Sequence, residues 1–552
     1  MNVAESVGTA LVKVGVDHVF GVVGSGNFHV TNAMVAAGGR YVAARHEGGA
    51  ATMADAYARM SGKVAAVSVH QGCGLTNAMT GITEAAKSRT PLVVLAAEVA
   101  EPRSNFFVDQ PALAAAVGAI SLRLTSATTA VAEACEAVAT ALHSRRTVLL
   151  NLPLHLQAEP GVAGFPQLPP ADPPKQPDDA SLGRLVTALT AAQRPVFVAG
   201  RGARGAACRG GLEALAEHYG ALLATSAVSK GLFNGNPWYL DISGGFASPL
   251  AAELISGADL VVGWGCALNM WTMRHGRLIA HDATVAQVDD DDTAIGAHRE
   301  VHVGVVGDVH ATATAALDRS AGTGRTGYRT EEVAARLAAG GVRWRGVPYD
   351  DTSNTERIDP RTLSLALDDL LPSDRVVSID SGNVMGYPSR FMSVPDEWGF
   401  CFTQAYQSIG LGLAPAIGAA LAQPRRLPIA AVGDGGLMMA AAELDTVRRL
   451  RLPMLVVVYN DDAYGAEVHH FGPDGLPLDT VRFPPTDIAA IARGYGFEAL
   501  TVRSVGDLAP VRSWVQRWDP DDVTGSSPGL LLDAKVTSDR AAWWLEEAFR
   551  GH

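Results

Sequence analysis

Residues 428–462 read PIAAVGDGGLMMAAAELDTVRRLRLPMLVVVYNDD. One apolar run, Pro428–Val432, enters the turn Gly433-Asp434-Gly435-Gly436, and a second, Met454–Tyr459, ends at Asn460-Asp461-Asp462. Between them Met438–Leu450 has helical spacing, and Pro453 closes the connection. This pattern predicts one β–α–β crossover, which returns its second strand parallel to the first. Asp434 and Asp461, 27 positions apart, then reach the same carboxyl edge of one sheet. Hard carboxylate oxygens there suit Mg²⁺, which keeps phosphate oxygens in its octahedron, and the glycines let backbone approach a diphosphate. A lone G-D-G also makes an ordinary turn. The acids at two strand ends are what point to a metal.

The same rhythm extends outward. Val3–Val14 is helical up to Gly15, Val19–Val22 is a strand, and Gly24-Ser25-Gly26 turns into a helix from Phe28. Strands at Tyr41–Arg45, Val64–Val69 and Leu92–Ala97 alternate with helices at Glu47–Met60 and Leu75–Lys87. Further strands fall at Val196–Ala199 and Arg375–Ile379. Repeated units of this kind imply parallel sheets wrapped by helices. Residues 159–177 carry seven prolines and read as a semi-rigid linker, and the polar parts of 320–358 read as a second linker around one helix. The expected fold is α/β, with three doubly wound parallel-sheet domains at residues 1–160, 178–320 and 358–552.

The formal charge of −13, without a long basic run, argues against nucleic acid and anionic membrane surfaces as partners. Five scattered cysteines with no C-x-x-C pair fit a reducing compartment. No basic-then-apolar leader opens the chain and no apolar run is long enough to span a membrane, so a cytoplasmic protein is expected.

The quoted stretch, continued through Ala463-Tyr464-Gly465, resembles the signature of the thiamine-diphosphate enzymes of the acetolactate synthase, pyruvate decarboxylase and benzoylformate decarboxylase superfamily. That resemblance implies a metal held by Asp434, Asp461 and the Ala463 carbonyl, with Gly433, Gly435, Gly436, Tyr464 and Gly465 around the diphosphate. Asp461 stands where the family usually has Asn. RHEGGAATMADAYARMSGK, residues 45–63, resembles the family segment that carries the activating glutamate. Glu47 would there hydrogen-bond the pyrimidine ring, whose amino nitrogen removes the thiazolium C2 proton. Without that context Glu47 is an ordinary acid in a helix's first turn. The stretch Gln404–Gly418 is similar to the family's cofactor wedge, which implies the Gln407 carbonyl on the pyrimidine amine and Ile409 beneath the cofactor. Asp380, Ser381, Gly382, Asn383 and Val384, at the end of the Arg375–Ile379 strand, match the remaining diphosphate loop.

Ser25 and His70 end first-domain strands on the same edge as Glu47, and VHQGCGLTNAM around His70 resembles the histidine loop of benzoylformate decarboxylase. His suits proton transfer near neutrality, although a histidine at a strand end is more often structural. Gln110 matches a glutamine facing the cofactor, and Glu467 an active-site acid of pyruvate decarboxylase. The family's active sites lie between subunits, so a homodimer or homotetramer acting on a small 2-oxo acid is expected. Overall similarity points to an acetolactate synthase-like carboligase, with a benzoylformate-type decarboxylase as the alternative. Gly200-Arg201-Gly202-Ala203-Arg204-Gly205 after Val196–Ala199 fits a dinucleotide loop, and some superfamily members hold FAD in this domain. The acid expected about 20 residues on is absent from residues 222–227, which weighs against a flavin. A non-catalytic paralogue is the remaining alternative, and intact Glu47, Asp434 and Asp461 weigh against it.

Overall fold

The computed structural model describes residues 1–162, 166–320, 322, 324–521, 527–542, 544 and 545. The expected strands pair in parallel within three sheets of six. The first contains β1 (His18–Gly21), β2 (Arg40–Ala43), β3 (Ala65–Val69), β4 (Leu92–Glu98), β5 (Ile120–Arg123) and β6 (Thr147–Pro153), in the order β2-β1-β3-β4-β6-β5. The second contains β7 (Pro195–Ala199), β8 (Leu222–Thr225), β9 (Tyr239–Ile242), β10 (Leu260–Trp264), β11 (Thr284–Asp289) and β12 (Val303–Val306), ordered β12-β11-β10-β7-β8-β9. The third contains β13 (Arg375–Ile379), β14 (Phe400–Cys401), β15 (Leu427–Gly433), β16 (Leu455–Asn460), β17 (Glu498–Val502) and β18 (Leu530–Lys535), ordered β14-β13-β15-β16-β18-β17.

Helices on both faces explain why central strands are apolar throughout rather than alternating. Along β4, Leu92, Val94 and Ala96 enter one core while Val93 and Leu95 enter another. Each sheet has a switch point in its strand order: between β1 and β3, between β10 and β7, and between β13 and β15. Open parallel sheets bind ligands in the crevice beyond such switch points.

Two stretches differ from expectation. The helix read over Met438–Leu450 instead starts at Asp434 and divides into Asp434–Ala440 and Leu444–Arg449 around a tight turn, Ala441–Glu443. That break brings Glu443 against the first domain, where it accepts the backbone N–H groups of Arg45 (3.0 Å) and His46 (3.1 Å). The stretch 320–358 is only partly a linker, because its helix Glu331–Ala338 has an apolar face at Val333 and Leu337. These two, with Tyr328 and Val342, pack into the second sheet's core. Of the Pro-rich stretch, residues 163–165 lie outside the described residues, as do residues 546–552 of the third expected domain.

The first and third sheets' domains meet through the helices Glu47–Ser61 and Leu413–Ala422. Gly418 permits that approach, since a Cβ there would lie 2.0 Å from the Met53 carbonyl oxygen.

Candidate active site

Of the residues expected to act on substrate, Ser25, His70 and Gln110 belong to the first domain and Glu467 to the third. Ser25 follows β1 on an exposed turn, and His70 follows β3. The turn has no room for side chains, because a Cβ on Gly24 would lie 2.8 Å from the His70 ring. The Gly26 N–H donates to His70 Nδ1 at 3.3 Å, so the neutral ring carries its proton on Nε2. Phe106 meets the His70 ring edge-on at 5.4 Å. Glu47, half-buried, opens the helix Glu47–Ser61 beyond β2, and its Oε2 accepts Asn77 Nδ2 at 3.1 Å. A Cβ on Gly74 would touch Glu47 Oε1 at 3.4 Å and His70 Cβ at 3.2 Å, so the glutamate and histidine flank one glycine. Gln110 is buried, with Nε2 donating to the Ala97 carbonyl at 2.8 Å and Oε1 unpartnered.

The expected cofactor loops converge at the third sheet's switch point. Register pairs Gly433 of β15 with Tyr459 of β16, so Asp434 and Asp461 emerge from adjacent strand ends. A Cβ on Gly465 would lie 2.3 Å from Asp461 Oδ2 and 3.5 Å from Asn383 Cβ, and one on Gly433 would lie 3.2 Å from Val384 Cγ1. Gly435 lies against the Tyr464 ring, 2.6 Å from a Cβ built on the glycine. Ile409 Cγ2 is 3.7 Å from a Cβ placed on Gly382, which sets it over the Ser381–Val384 loop. Gln407 is exposed, with φ +61 in the left-handed region. On both sides of Ala463 the backbone is tied, with Tyr464 N–H bonded to the Val481 carbonyl and Phe483 N–H to that of Asp462. Glu467 lies half-exposed in the short helix Gly465–Phe471, without a side-chain partner among the described residues.

Burial raises both of the carboxyls expected to hold a metal. Asp434 is pushed up to about 6, with the Asp462 charge adding, and Asp461 to about 7, with the Asp434 charge adding. Neither forms an ion pair among the described residues, whereas neighbouring Asp462 is taken by Arg357 at 2.6 Å. Two unpaired carboxylates facing a glycine-lined cradle fit a divalent cation with a diphosphate, because both need hard oxygen ligands and close backbone.

Three features here carried no role of their own in the sequence reading. Asn77 lay within a quoted motif, yet nothing in its spacing linked it to Glu47. Asp380, at the end of β13, is buried and pushed up to about 7 by that burial. The segment around Ala542 and Trp544 reaches the Ser381–Val384 loop: Ala542 N–H donates to Asn383 Oδ1 at 2.9 Å, and Trp544 Nε1 to the Asn383 carbonyl at 3.3 Å.

At the second sheet's switch point, Gly200, Arg201 and Gly202 beyond β7 and Asp289 of β11 help line a cleft of about 620 Å³. The two glycines are needed for packing alone, since Cβ atoms there would lie 2.2 Å from the Gly265 carbonyl oxygen and 2.8 Å from its Cα. Arg89 and Arg145 of the first domain also line the cleft, paired with Asp291 and Asp290. Burial, with Arg59, Arg145 and Arg89 nearby, pushes Arg201 down to about 9. Acids therefore reach this cleft from the end of β11, not from residues 222–227 where the dinucleotide pattern places one.

Comparison with known proteins covers all three sheets. Residues 1–117 match the model described as thiamine pyrophosphate enzyme, N-terminal TPP binding domain. Residues 182–316 match that enzyme's central domain, and residues 380–516 its C-terminal TPP binding domain. A probable 2-ketoarginine decarboxylase of Pseudomonas aeruginosa is 30% identical, covering 91% of this chain and 89% of its own length. A sulfoacetaldehyde acetyltransferase of Castellaniella defragrans is 26% identical, over 92% of this chain and 90% of its own. An acetolactate synthase large subunit of Parasynechococcus marenigrum is 26% identical, over 89% and 82%. With three matching domains in order and these relatives aligned over nearly its full length, the chain belongs to the thiamine pyrophosphate enzymes.

Proposed function

We propose that this chain uses thiamine diphosphate and Mg²⁺ to cleave, and then re-form, a carbon–carbon bond at the carbonyl of a 2-oxo acid. The observation that carries the reading is the pair of unpaired carboxylates, Asp434 and Asp461, on adjacent strand ends beside the Ser381–Val384 loop. When bound, thiamine diphosphate supplies a nucleophilic carbon and an electron sink. Asp434, Asp461 and the Ala463 carbonyl would hold the metal, and Ser381–Val384 and Gly433–Gly436 the diphosphate. Tyr464 and Gly465 close that side. Glu47, with Oε2 engaged by Asn77, keeps Oε1 for the pyrimidine nitrogen. The Gln407 carbonyl and Ile409 would orient the same ring. Ser25, His70, Gln110 and Glu467 would surround the substrate.

The reading includes a homodimer or homotetramer with each site shared between subunits. No hydrogen bond or ion pair among the described residues joins the Glu47–His70 group to the Asp434–Asp461 group within one chain. Exposed apolar side chains flank both groups, Phe28 and Phe106 on one, Tyr406, Met438 and Met439 on the other. Sedimentation should give at least a dimer, and full activity as a dilute monomer would refute the shared site.

Two fates for the cleaved substrate differ in the electrophile taken up by its nucleophilic carbon, a second carbonyl compound or a proton. Carboligation, toward which the resemblance points, adds a second carbonyl compound. Decarboxylation with release of an aldehyde is favoured by the His70 geometry, in which Nδ1 accepts from Gly26 and Nε2–H is left to donate. Incubation with thiamine diphosphate, Mg²⁺ and pyruvate, followed by proton NMR, separates them. Acetolactate supports the synthase; acetaldehyde supports the decarboxylase. Inertness toward pyruvate, benzoylformate and longer 2-oxo acids in the loaded protein would overturn the reading.

For the middle domain, no flavin is the proposed state. The acids and arginines of the 620 Å³ cleft favour a second reading in which it holds an anionic nucleotide such as FAD. Flavin absorption in the purified protein would decide for that second reading.

A further inference from the structure

Three loops of the candidate cofactor site meet at a side chain assigned no role of its own above. Asp380 ends β13 at the third sheet's switch point and is 1% exposed. Its Oδ1 accepts the N–H groups of Ser381 (2.8 Å) and Leu411 (3.2 Å), and its Oδ2 accepts that of Gly410 (3.2 Å). The third loop is pressed against it, because a Cβ on Gly436 would lie 1.9 Å from Oδ2. A Cβ on Gly412 would lie 2.7 Å from Asp380 Cβ. No cation pairs with this carboxylate among the described residues, so its charge is balanced by amide dipoles alone, a costly arrangement in an interior.

The segment it holds does not take its shape unaided. Gln407 has φ +61 and Gly410 φ +86, two left-handed residues within four, and non-glycine residues persist there only when their surroundings impose it. Ile409 sits between them, its Cγ2 resting over Gly382. Immediately after Ile409, two consecutive amides are clamped by Asp380; immediately before Gly382, Ser381 is clamped by the same group. The vertical spacing between Ile409 and the diphosphate loop is thus set through one carboxylate.

We propose that Asp380 is a positioning residue whose carboxylate fixes the height of Ile409 above the Ser381–Val384 loop, and with it the bend of the bound cofactor. The inference rests on the thiamine-diphosphate reading of the site. Two acceptor oxygens here serve three donors, which an amide side chain with a single acceptor cannot do. In Asp380→Asn the single oxygen satisfies one side, and the NH₂ group then opposes the N–H of Gly410, or those of Ser381 and Leu411. The spacing between the Ile409 loop and the Ser381–Val384 loop must change, while Asp434 and Asp461 stay in place.

The test separates holding the cofactor from bending it. Asp380→Asn should bind thiamine diphosphate with Mg²⁺ within a few-fold of wild type, measured by calorimetric titration. Exchange of the cofactor C2 proton with D₂O, followed by quench-flow and NMR, should slow by about 100-fold, as expected for an ångström-scale misplacement. Ile409→Ala should slow it similarly, and the double variant should lose little more, since both act through one contact. A general loosening of the fold would give additive losses and overturn the proposal. Wild-type exchange in Asp380→Asn would overturn it equally. Should Asp380→Asn fold poorly, Asp380→Ser removes the buried charge and leaves one acceptor; slow exchange is again expected, and wild-type exchange sinks the idea. A wild-type chain that binds no thiamine diphosphate would refute the functional reading and this inference with it.

Discussion

Asn77 Nδ2 donates to Glu47 Oε2 across 3.1 Å, joining the start of one first-domain helix to the first turns of the next. One oxygen of the glutamate is thereby committed within the domain, and the other lies beside Gly74 with no hydrogen bond among the described residues. A carboxylate that must share a proton with a ring nitrogen has to be held in one orientation. Glu47→Gln should keep the fold and lose nearly all C2–H exchange. Asn77→Ala should lower exchange by about tenfold, within the range of general acid–base contributions. Normal exchange in Glu47→Gln would remove Glu47 from the mechanism.

Asp461 places a second formal charge where an amide would also coordinate. In Asp461→Asn the divalent affinity should fall by about tenfold, the cost of one screened charge at contact distance. A Mn²⁺ titration followed by electron paramagnetic resonance, with thiamine diphosphate present, reads this directly. Unchanged Mn²⁺ affinity would show that the extra charge at this position contributes nothing to metal binding.

The ligand-free protein should lose stability as pH rises through the acid range, as far as Asp380, Asp434 and Asp461 contribute. Their folded values of about 7, 6 and 7 stand above the ordinary 3.8. Between those limits the folded chain binds more protons than the unfolded one, so the contribution is complete below pH 3.8 and gone above about 7. Calorimetric melting at pH 5 and pH 8 should show a smaller difference for Asp461→Asn than for wild type. Identical differences in the two proteins would contradict the assigned cause.

Arg59 is a buried charge on which two domains depend. It pairs with Asp55 and Glu84, each at 2.7 Å, and donates to the Phe402 carbonyl at 3.0 Å. Glu84 in turn accepts Ala405 N–H at 3.0 Å and Tyr406 N–H at 2.6 Å, next to the Gln407 loop. Removing the cation strands two buried acids, so Arg59→Ala should cost about 3–5 kcal/mol. Urea unfolding measures it; a loss under about 1 kcal/mol would mean the acids are satisfied without Arg59.

Much of this was legible along the chain because strand ends announce themselves. Apolar runs terminating at Gly433-Asp434 and Asn460-Asp461 locate two carboxylates on one edge of the third sheet, and the run ending at Val69 locates His70 at a strand end of the first. Helix interruptions were harder to read: the kink at Ala441–Glu443 serves a contact with Arg45 and His46 nearly 400 positions away. The linker reading of 320–358 failed in part because Val333 and Leu337 look isolated until the second sheet's core receives them.

The sequence by itself determined the three parallel sheets, the acids and glycines at their carboxyl edges, and membership of a cofactor family, because hydrophobic period and turn chemistry are local properties. Only the tertiary structure decided that Asn77 orients Glu47, that Gly26 sets the His70 tautomer, that β11 brings acids to the middle cleft, and that Asp380 gathers three loops. Each depends on which strand ends become neighbours. That is settled by how helices cover the sheets, a property of the whole chain that no local pattern carries.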